Sequence, residues 1–302
     1  MKVGFVVLLK DLKVLGRAPR YAEIHEMALA AEGAGFDSIW LYDHLLYRYE
    51  GQSPIGIWEC WTMLSALAEA TRRVELGTLV LCNSFRNPAI LAKMAITADE
   101  VSGGRLILGL GAGWNQAEFD AFGLPFDHRV DRFEEALQII KPLLNEGHVD
   151  FSGTYYQARN CEILPRGPRT NAPALMVAGI GPRMLRLTAQ YADMWNIGYL
   201  SHPDAFGDPL AKLNIACGEV GRDPATLEKT VLVALAFLDL GVPEDWMNET
   251  GYLSGSAEDV AAAMHHYEQM GVSHLMFHCA PYNAAALGRL AEALRIYRSR
   301  AS

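Results

Sequence analysis

A histidine and an acidic residue stand side by side at the end of an apolar run. Residues 38–44 read SIWLYDH, so Asp43 and His44 follow a strand-like stretch directly. Histidine titrates near neutral pH and is the side chain that most often transfers protons in enzymes. We therefore regard both as candidate catalytic residues, with His44 as general acid or base and Asp43, or a backbone group, orienting its ring. The competing interpretation is a buried histidine whose hydrogen bonds only stabilise the fold.

Three glycines spaced by two residues end another apolar run. Residues 105–114 read RLILGLGAGW, which places Gly109, Gly111 and Gly113 just before a helical pattern. Glycine weakens regular structure, so the backbone here must bend sharply or lie against a close neighbour. The spacing is GxGxG, not the GxGxxG of dinucleotide-binding turns, and it lies outside an opening βαβ unit. Two interpretations stay open: the glycines contact a flat ligand, or they let the next helix pack.

A third stretch has the features of a phosphate-binding loop. In residues 178–185, AGIGPRML, a strand stops at two glycines, Pro182 stands at the first helical position and Arg183 follows. Proline suits that position, and the N–H groups at a helix start attract anions. The alternative is a tight turn that carries an exposed arginine.

Composition and missing motifs disfavour several classes of function. The net charge is −9 and the sequence has no basic stripe, so we expect no nucleic-acid partner. The five cysteines lack CxxC spacing, which is typical of reduced thiols in a cytoplasmic protein. No apolar run approaches the roughly 18 residues of a membrane span, and the N-terminus does not resemble a signal peptide. The absence of HExxH, clustered carboxylates and GxSxG argues against a metal site and a serine hydrolase.

The candidate residues need a scaffold that gathers strand ends. Apolar runs alternate with helical patterns, and the runs are mostly continuous, as in parallel strands buried on both faces. The predicted strands are 3–9, 37–42, 74–81, 105–110, 174–179, 194–198, 231–238 and 273–279. The predicted helices are 20–34, 59–72, 89–102, 129–146, 182–192, 204–220, 257–270 and 284–299.

This alternation predicts the α/β class and a (β/α)8 TIM barrel, as a single domain over residues 1–302. In such barrels the active site lies at the carboxyl ends of the strands. The chain exceeds a typical barrel by about 50 residues, and we assign the surplus to an insertion after the fourth βα unit, residues 147–173. We expect this insertion and the loop 239–255 to cover the pocket. Large aromatic side chains expected mostly in the core are Phe5, Trp40, Trp61, Trp114, Trp195 and Trp246.

Two helix starts carry capping signals. Glu59 precedes the second helix and can stabilise its first turn electrostatically. Ser256 precedes a later helix with Asp259 three residues on, which predicts a capping box.

The motifs, in their order, resemble the bacterial luciferase-like monooxygenase superfamily. The stretches are SIWLYDHL, LGTLVLCNSFRNPAILAKMAITADEVSGGRLILGLGAGWNQAEFDAFG and AGIGPRMLRLTAQYADMWNIG, and the likeness covers nearly the whole chain. They look most like the branch that uses the deazaflavin coenzyme F420. Members of that branch usually show Asp-His where many flavin mononucleotide (FMN) enzymes show Glu-His-His. The resemblance implies a barrel with the flavin-like ring at the carboxyl ends of the strands.

The resemblance also implies which residues bind the cofactor. Its phosphate loop matches Ala178, Gly179, Ile180, Gly181 and Arg183. Leu79-Val80 matches the place where deazaflavin members carry a cis peptide bond without proline, which is a rare feature in proteins. The remaining positions expected near the ring are Asp43, Asn83, Gly111, Gly113 and Asn196.

One departure limits the choice of substrate. The sugar-phosphate dehydrogenase subgroup carries a glutamate just after the glycines, where this chain has Trp114, so that substrate is not carried over. The resemblance implies an F420-dependent oxidoreductase that transfers hydride between the deazaflavin and a small organic substrate. It also suggests a homodimer.

Three other functions stay open at this point. The first is an FMN-dependent two-component monooxygenase, fed with reduced cofactor by a separate reductase. The second is a non-catalytic flavin- or deazaflavin-binding protein. The third is a phosphate-sugar barrel enzyme without flavin, which would need an essential lysine or paired carboxylates at strand ends. Lys10 is the visible lysine at such a position, and it has no obvious partner in the sequence.

Overall fold

A computed structural model describes residues 1–13, 15–242 and 251–299. The strands are β1 (Lys2–Val6), β2 (Ser38–Leu41), β3 (Glu75–Thr78), β4 (Leu81–Cys82), β5 (Leu106–Gly111), β6 (His148–Ser152), β7 (Gln157–Glu162), β8 (Ala174–Ala178), β9 (Met194–Gly198), β10 (Glu228–Ala236), β11 (Leu253–Ser254) and β12 (His274–Ala280). The helices are α1 (Tyr21–Gly33), α2 (Cys60–Ala70), α3 (Pro88–Ser102), α4 (Gln116–Phe122), α5 (Arg129–Asn145), α6 (Pro182–Tyr191), α7 (Gly207–Glu219), α8 (Ala257–Gln269) and α9 (Ala284–Ser299).

The predicted order of elements is present. Each predicted strand is found within a few residues of its expected place, and each is followed by its predicted helix. The predicted run 74–81 is divided into β3 and β4, which both pair in parallel with β5. This is the βα alternation of the (β/α)8 TIM barrel, so the predicted α/β fold class is confirmed. The single-domain assignment stays a prediction.

By internal contacts the chain divides into two compact units, and the first consists of residues 1–8, 22–40 and 178–302. In it β10 pairs in parallel with β9 and β12, and β1 pairs in parallel with β12 and β2. Phe5 lies opposite both Phe277 and Ile39 in these registers. All three side chains are fully or almost fully buried, so apolar burial on both strand faces stabilises this unit.

The second unit consists of residues 9–21 and 41–177. Its strand β5 pairs in parallel with β3, β4 and β8, with Cys82 opposite Gly111 at the carboxyl end. Phe119 of α4 and Phe133 of α5 are buried in its core. The predicted insertion lies in this unit and contains an antiparallel pair, β6 and β7, which the sequence pattern did not indicate.

Both predicted caps are present. The Glu59 carboxylate accepts hydrogen bonds from the N–H groups of Trp61 and Thr62 at the start of α2. Ser256 and Asp259 form the complete capping box at the start of α8. Each cap satisfies N–H groups that the first helical turn leaves without an intrahelical partner.

The predicted aromatic core is largely present as well. Phe5, Trp40, Trp61 and Trp195 are buried, whereas Trp114 is 62% exposed. Trp246 and part of the expected cover loop 239–255 lie outside the described residues. No helix among the described residues is long and apolar enough to cross a membrane.

Candidate functional site

His44 is held by a buried carboxylate. Its Nδ1 lies 2.6 Å from Oε1 of Glu118, whose side chain is 2% exposed. The same oxygen accepts a hydrogen bond from Nδ2 of Asn115 at 2.7 Å, and that nitrogen also donates to the carbonyl oxygen of Leu46. A carboxylate oxygen accepts hydrogen bonds, so this contact suits the His44 tautomer that carries its proton on Nδ1.

Sequence reasoning missed Glu118. It stands three residues after Asn115, which precedes α4, and an acid at this position usually indicates helix capping. Asn115 makes no side-chain cap, and Glu118 points its carboxylate to His44 instead. The Asn-x-x-Glu spacing was therefore a usable signal, but its ordinary interpretation is a structural one.

Two aromatic rings flank His44. The ring centroid of Tyr47 lies 4.5 Å from that of His44, and the ring centroid of Trp114 lies 5.6 Å away, edge-on. Tyr49 stacks on Tyr47 at 6.3 Å. These contacts limit the rotation of the imidazole, which is 16% exposed, and they place apolar surface beside its outer edge.

Asp43 does not have the predicted role of orienting His44, and that prediction was wrong. Its buried carboxylate accepts two hydrogen bonds from the guanidinium of Arg86, at 2.7 and 3.1 Å, and one from the N–H of Cys82. Arg86 also pairs with Glu59. The physical reason is charge. Burial raises the pKa of Asp43, and the Arg86 cation opposes that shift because it stabilises the ionised carboxylate. The carboxylate is therefore engaged by Arg86 and not by His44. Whether Asp43 contacts a cofactor stays a prediction.

Arg86 was missed by sequence reasoning because nothing in the stretch NSFRNP marks it. Its side chain is 12% exposed and joins three segments, namely the end of β2, the end of β4 and the start of α2. Neighbouring Cys82 is not a reactive thiol, because burial raises its pKa to about 12.

Leu79-Val80 is a cis peptide bond without proline, as the resemblance implied. It lies between β3 and β4. Beyond β4, Asn83 begins a short 3₁₀ turn and is fully buried. Neither polar atom of its amide forms a hydrogen bond of ordinary geometry within the part of the chain that the structure describes, although the Tyr156 hydroxyl lies close enough to interact with it. A buried amide in this state is unusual, and an ordered water or a ligand with donor and acceptor groups would satisfy it.

The insertion reaches Asn83. Tyr156 lies in the turn between β6 and β7, close to the amide of Asn83. Burial raises the pKa of Tyr156, and the interaction with the Asn83 amide lowers it by a smaller amount. The Glu135 carboxylate of α5 anchors this turn, since it accepts hydrogen bonds from the N–H groups of Thr154, Tyr155 and Tyr156. Thus one predicted cover segment borders a predicted cofactor residue.

The glycines of β5 have an internal explanation. A Cβ on Gly109 would overlap the carbonyl oxygen of Thr78. One on Gly113, where φ is +82°, would come within 2.5 Å of Cys82 Sγ and 2.8 Å of Phe119. Gly111 faces Val80 at 2.8 Å in the same way. Packing alone therefore requires small residues here, and cofactor contact by Gly111 and Gly113 stays a prediction.

The predicted phosphate loop lies in the first unit. Gly181 precedes α6, Pro182 occupies its first turn, and Ile180 is 62% exposed. Gly179 accepts a hydrogen bond at its carbonyl oxygen from the Trp195 indole at 2.9 Å. The loop, Ala178 to Arg183, thus has the strand–glycine–helix form that was predicted, and phosphate binding stays a prediction.

Asn196 is the predicted cofactor residue with the least support. It is buried in β9, and its Nδ2 donates to Oγ1 of Thr230 at 2.9 Å, with Met276 Sδ at 3.6 Å. Its amide nitrogen is already engaged in the core, so a structural role accounts for it.

Comparisons with known proteins identify the family of the chain. Residues 1–239 match the family model described as luciferase-like monooxygenase. A phthiodiolone/phenolphthiodiolone dimycocerosates ketoreductase from Mycobacterium kansasii is 34% identical over 217 residues, 66% of this chain and 59% of that protein. An F420-dependent glucose-6-phosphate dehydrogenase from Amycolatopsis mediterranei is 36% identical over 184 residues, 59% of this chain and 52% of that protein.

Among solved structures, an F420-dependent secondary alcohol dehydrogenase in complex with an F420-acetone adduct matches with a TM-score of 0.81. The match covers 98% of this chain and 99% of that one at 21% identity, and it shows the fold. The matched regions span less than two thirds of the length of the two curated relatives.

Proposed function

The chain belongs to the luciferase-like monooxygenase family, and from this premise we propose that it is an oxidoreductase that uses F420 to transfer hydride to or from a small organic substrate. The observation that carries the proposal is the buried pair of His44 and Glu118, joined at 2.6 Å. Interconversion of an alcohol and a carbonyl compound moves a proton together with a hydride. This pair can hold that proton at Nε2 of His44.

The role of His44 in proton transfer follows from the negative charge of Glu118. Glu118 keeps the proton on Nδ1, so Nε2 accepts a proton from an alcohol or, once protonated, returns it to a carbonyl oxygen. The imidazolium that forms is stabilised by the buried carboxylate at 2.6 Å. Tyr47 and Trp114 shield the ring and strengthen this ionic contact by reducing access of water.

Asn83 supports the fit of the cofactor. Its amide offers a donor and an acceptor that form no hydrogen bond of ordinary geometry among the described residues, with the Tyr156 hydroxyl nearby, which suits the paired N–H and C=O groups of a deazaflavin pyrimidine edge. The loop from Ala178 to Arg183 would hold the phosphate. The deazaflavin, when bound, supplies or accepts the hydride.

The names of the relatives support the same class of reaction. One is called a ketoreductase, one an F420-dependent dehydrogenase, and a solved neighbour is an alcohol dehydrogenase with an F420-acetone adduct. All three names fit redox chemistry at a carbon that bears oxygen.

We expect micromolar binding of F420, with FMN at least tenfold weaker. Titration of intrinsic tryptophan fluorescence measures both, because Trp114 lies 5.6 Å from His44 beside the expected ring position. A micromolar dissociation constant corresponds to about 8 kcal/mol and is readily measured. Tighter binding of FMN would contradict the proposal and favour the two-component monooxygenase with its separate reductase. Tight F420 binding without turnover of any alcohol or ketone would favour a binding protein.

Asn83→Ala should weaken F420 binding about tenfold, because the variant leaves a cofactor donor and acceptor unpaired in a buried site. Fluorescence titration of both proteins tests this, with thermal unfolding as the check on folding. Asn171→Ala, at an exposed position of the same unit, is the matched control and should bind like the wild type. Equal affinity of all three proteins would remove Asn83 from the cofactor site.

A further inference from the structure

The surface beside His44 is aromatic. We call the side chains of Tyr47, Tyr49 and Trp114 the aromatic wall. Tyr47 and Trp114 both contact the His44 ring, and Tyr49 continues the stack outward from Tyr47 with the two rings nearly parallel, at 8°. A candidate proton-transfer group is thus bordered by aromatic rings, one tilted and one edge-on.

The outer parts of this wall are exposed. Trp114 is 62% and Tyr49 45% exposed, although Trp40 and Trp195 are completely buried in the same chain. Large aromatic surface left in water beside a reactive group is a common sign of a binding site. Trp114 follows Gly113, whose φ of +82° turns the chain at this point. The exposure of Trp114 is therefore built into the turn after β5.

We propose that the aromatic wall binds the apolar part of the substrate, and that the substrate is a ketone or secondary alcohol with a ring-sized or larger apolar substituent. This inference rests on the proposed function. The oxygen of the substrate meets Nε2 of His44, and its substituent lies against Trp114 and Tyr47. Rings bind well to such surfaces because aromatic pairs attract each other beyond the burial of their area.

The reaction balances with reduced F420 as the co-reactant. The carbonyl carbon gains a hydride, the π bond of the carbonyl group breaks, and its oxygen takes the proton from Nε2 of His44. The products are the secondary alcohol and oxidised F420, and the proton that the cofactor loses along with the hydride returns to Nε2 of His44, directly or through water, which restores the protonated ring. Oxidation of the alcohol is the reverse, with His44 accepting the proton.

The carboxylate of Glu118 is kept from solvent. Glu118 contacts His44 from the side opposite to the reacting nitrogen, and its side chain is 2% exposed. The substrate therefore meets rings and one imidazole nitrogen rather than a carboxylate. The rings themselves favour an apolar ketone over a sugar phosphate, whose dianion would lose hydration against them, although the Lys10 ammonium lies 6.0 Å from the centroid of the Tyr47 ring.

The test compares acetophenone with acetone and glucose 6-phosphate. In the wild type with F420 we expect kcat/KM for acetophenone to exceed that for acetone at least tenfold. Trp114→Ala should lower kcat/KM for acetophenone at least tenfold more than for acetone, mainly through KM. Phe122→Ala is the control, since Phe122 is also an exposed aromatic of this unit, at the end of α4, and is 53% exposed.

A second measurement does not depend on the cofactor. Saturation-transfer NMR on the protein without F420 should give a signal for acetophenone that Trp114→Ala reduces at least threefold and Phe122→Ala leaves in place. Equal losses for both ketones, preference for acetone or glucose 6-phosphate, or an unchanged NMR signal in Trp114→Ala would overturn the assignment of the wall. Absence of F420 binding with the NMR difference intact would overturn the proposed function and leave the wall as an apolar binding site.

Discussion

Replacing Glu118 with glutamine should lower kcat about 100-fold while the dissociation constant of F420 changes less than about threefold. The carboxylate lies 2.6 Å from Nδ1 of His44 and is almost completely buried. It therefore fixes the proton on Nδ1 and stabilises the imidazolium formed during proton transfer. A glutamine keeps the shape but removes the negative charge, and its NH₂ group can turn to Nδ1 and favour the wrong tautomer.

The measurement is steady-state kinetics with F420, with binding followed separately by fluorescence. Asp120→Asn changes an exposed carboxylate on the same helix and should retain wild-type kcat. A double-variant cycle gives the sharper result. His44→Ala should remove most of the activity, and adding Glu118→Gln to it should cost little more, because the two residues act as one unit. Additive losses would show that Glu118 acts independently of His44, and an unchanged kcat would remove it from the mechanism.

The strands and helices that position this pair are predictable because they carry the apolar core. Continuous apolar runs predict buried parallel strands, and β5 and β12 lie where these runs are found. The pair β6 and β7 was missed because its side chains are mostly exposed and polar, as in QARNCE of β7. β6, HVDFS, alternates over only five residues, and QARNCE of β7 does not alternate, so the sequence pattern resembles a loop.

The site residues were predicted only in part, because residue type marks some of them whereas the partners of others are distant along the chain. His44 is marked by its residue type at a strand end, and Asn83 by the family resemblance. Glu118 and Arg86 were not assigned to the site because their partners lie 74 and 43 residues away in the chain, and the spacing of Asn115 and Glu118 ordinarily indicates a helix cap. The glycine pattern was open to two interpretations, and the overlaps around Gly109 and Gly113 favour close packing. Spacing along a chain cannot separate a ligand contact from a packing contact.

A second histidine, His274, should control stability in acid. It is completely buried on β12, and its Nε2 lies 2.7 Å from Oγ of Ser38, which accepts a hydrogen bond from the indole of Trp40. The Trp40 proton occupies one lone pair of Ser38, so Ser38 can donate its own proton to Nε2 and hold the ring neutral. Burial lowers the pKa of His274 from 6.5 to about 3, and the positive charges of Lys2 and the N-terminus act in the same direction.

The direction of the pH effect follows from these values. In the unfolded chain His274 takes up a proton near pH 6.5, whereas in the folded chain it stays neutral down to about pH 3. Its contribution to stability is therefore complete above pH 6.5 and is lost as the pH falls towards 3, at about 1.4 kcal/mol per pH unit. Between pH 6 and pH 4 this group alone should lower the free energy of unfolding by about 2–3 kcal/mol.

Urea denaturation at pH 6 and pH 4 measures this contribution. Other groups also titrate in this range, so the comparison is between proteins and not between pH values alone. His274→Gln lacks the titrating ring and should lose about 2–3 kcal/mol less than the wild type over the interval, even if it is less stable at pH 6. His202→Gln, at an exposed position, should follow the wild type. An equal fall in the free energy of unfolding for His274→Gln and the wild type would contradict this prediction. It would mean that His274 is protonated in the folded protein and that the imidazolium is accommodated beside Ser38.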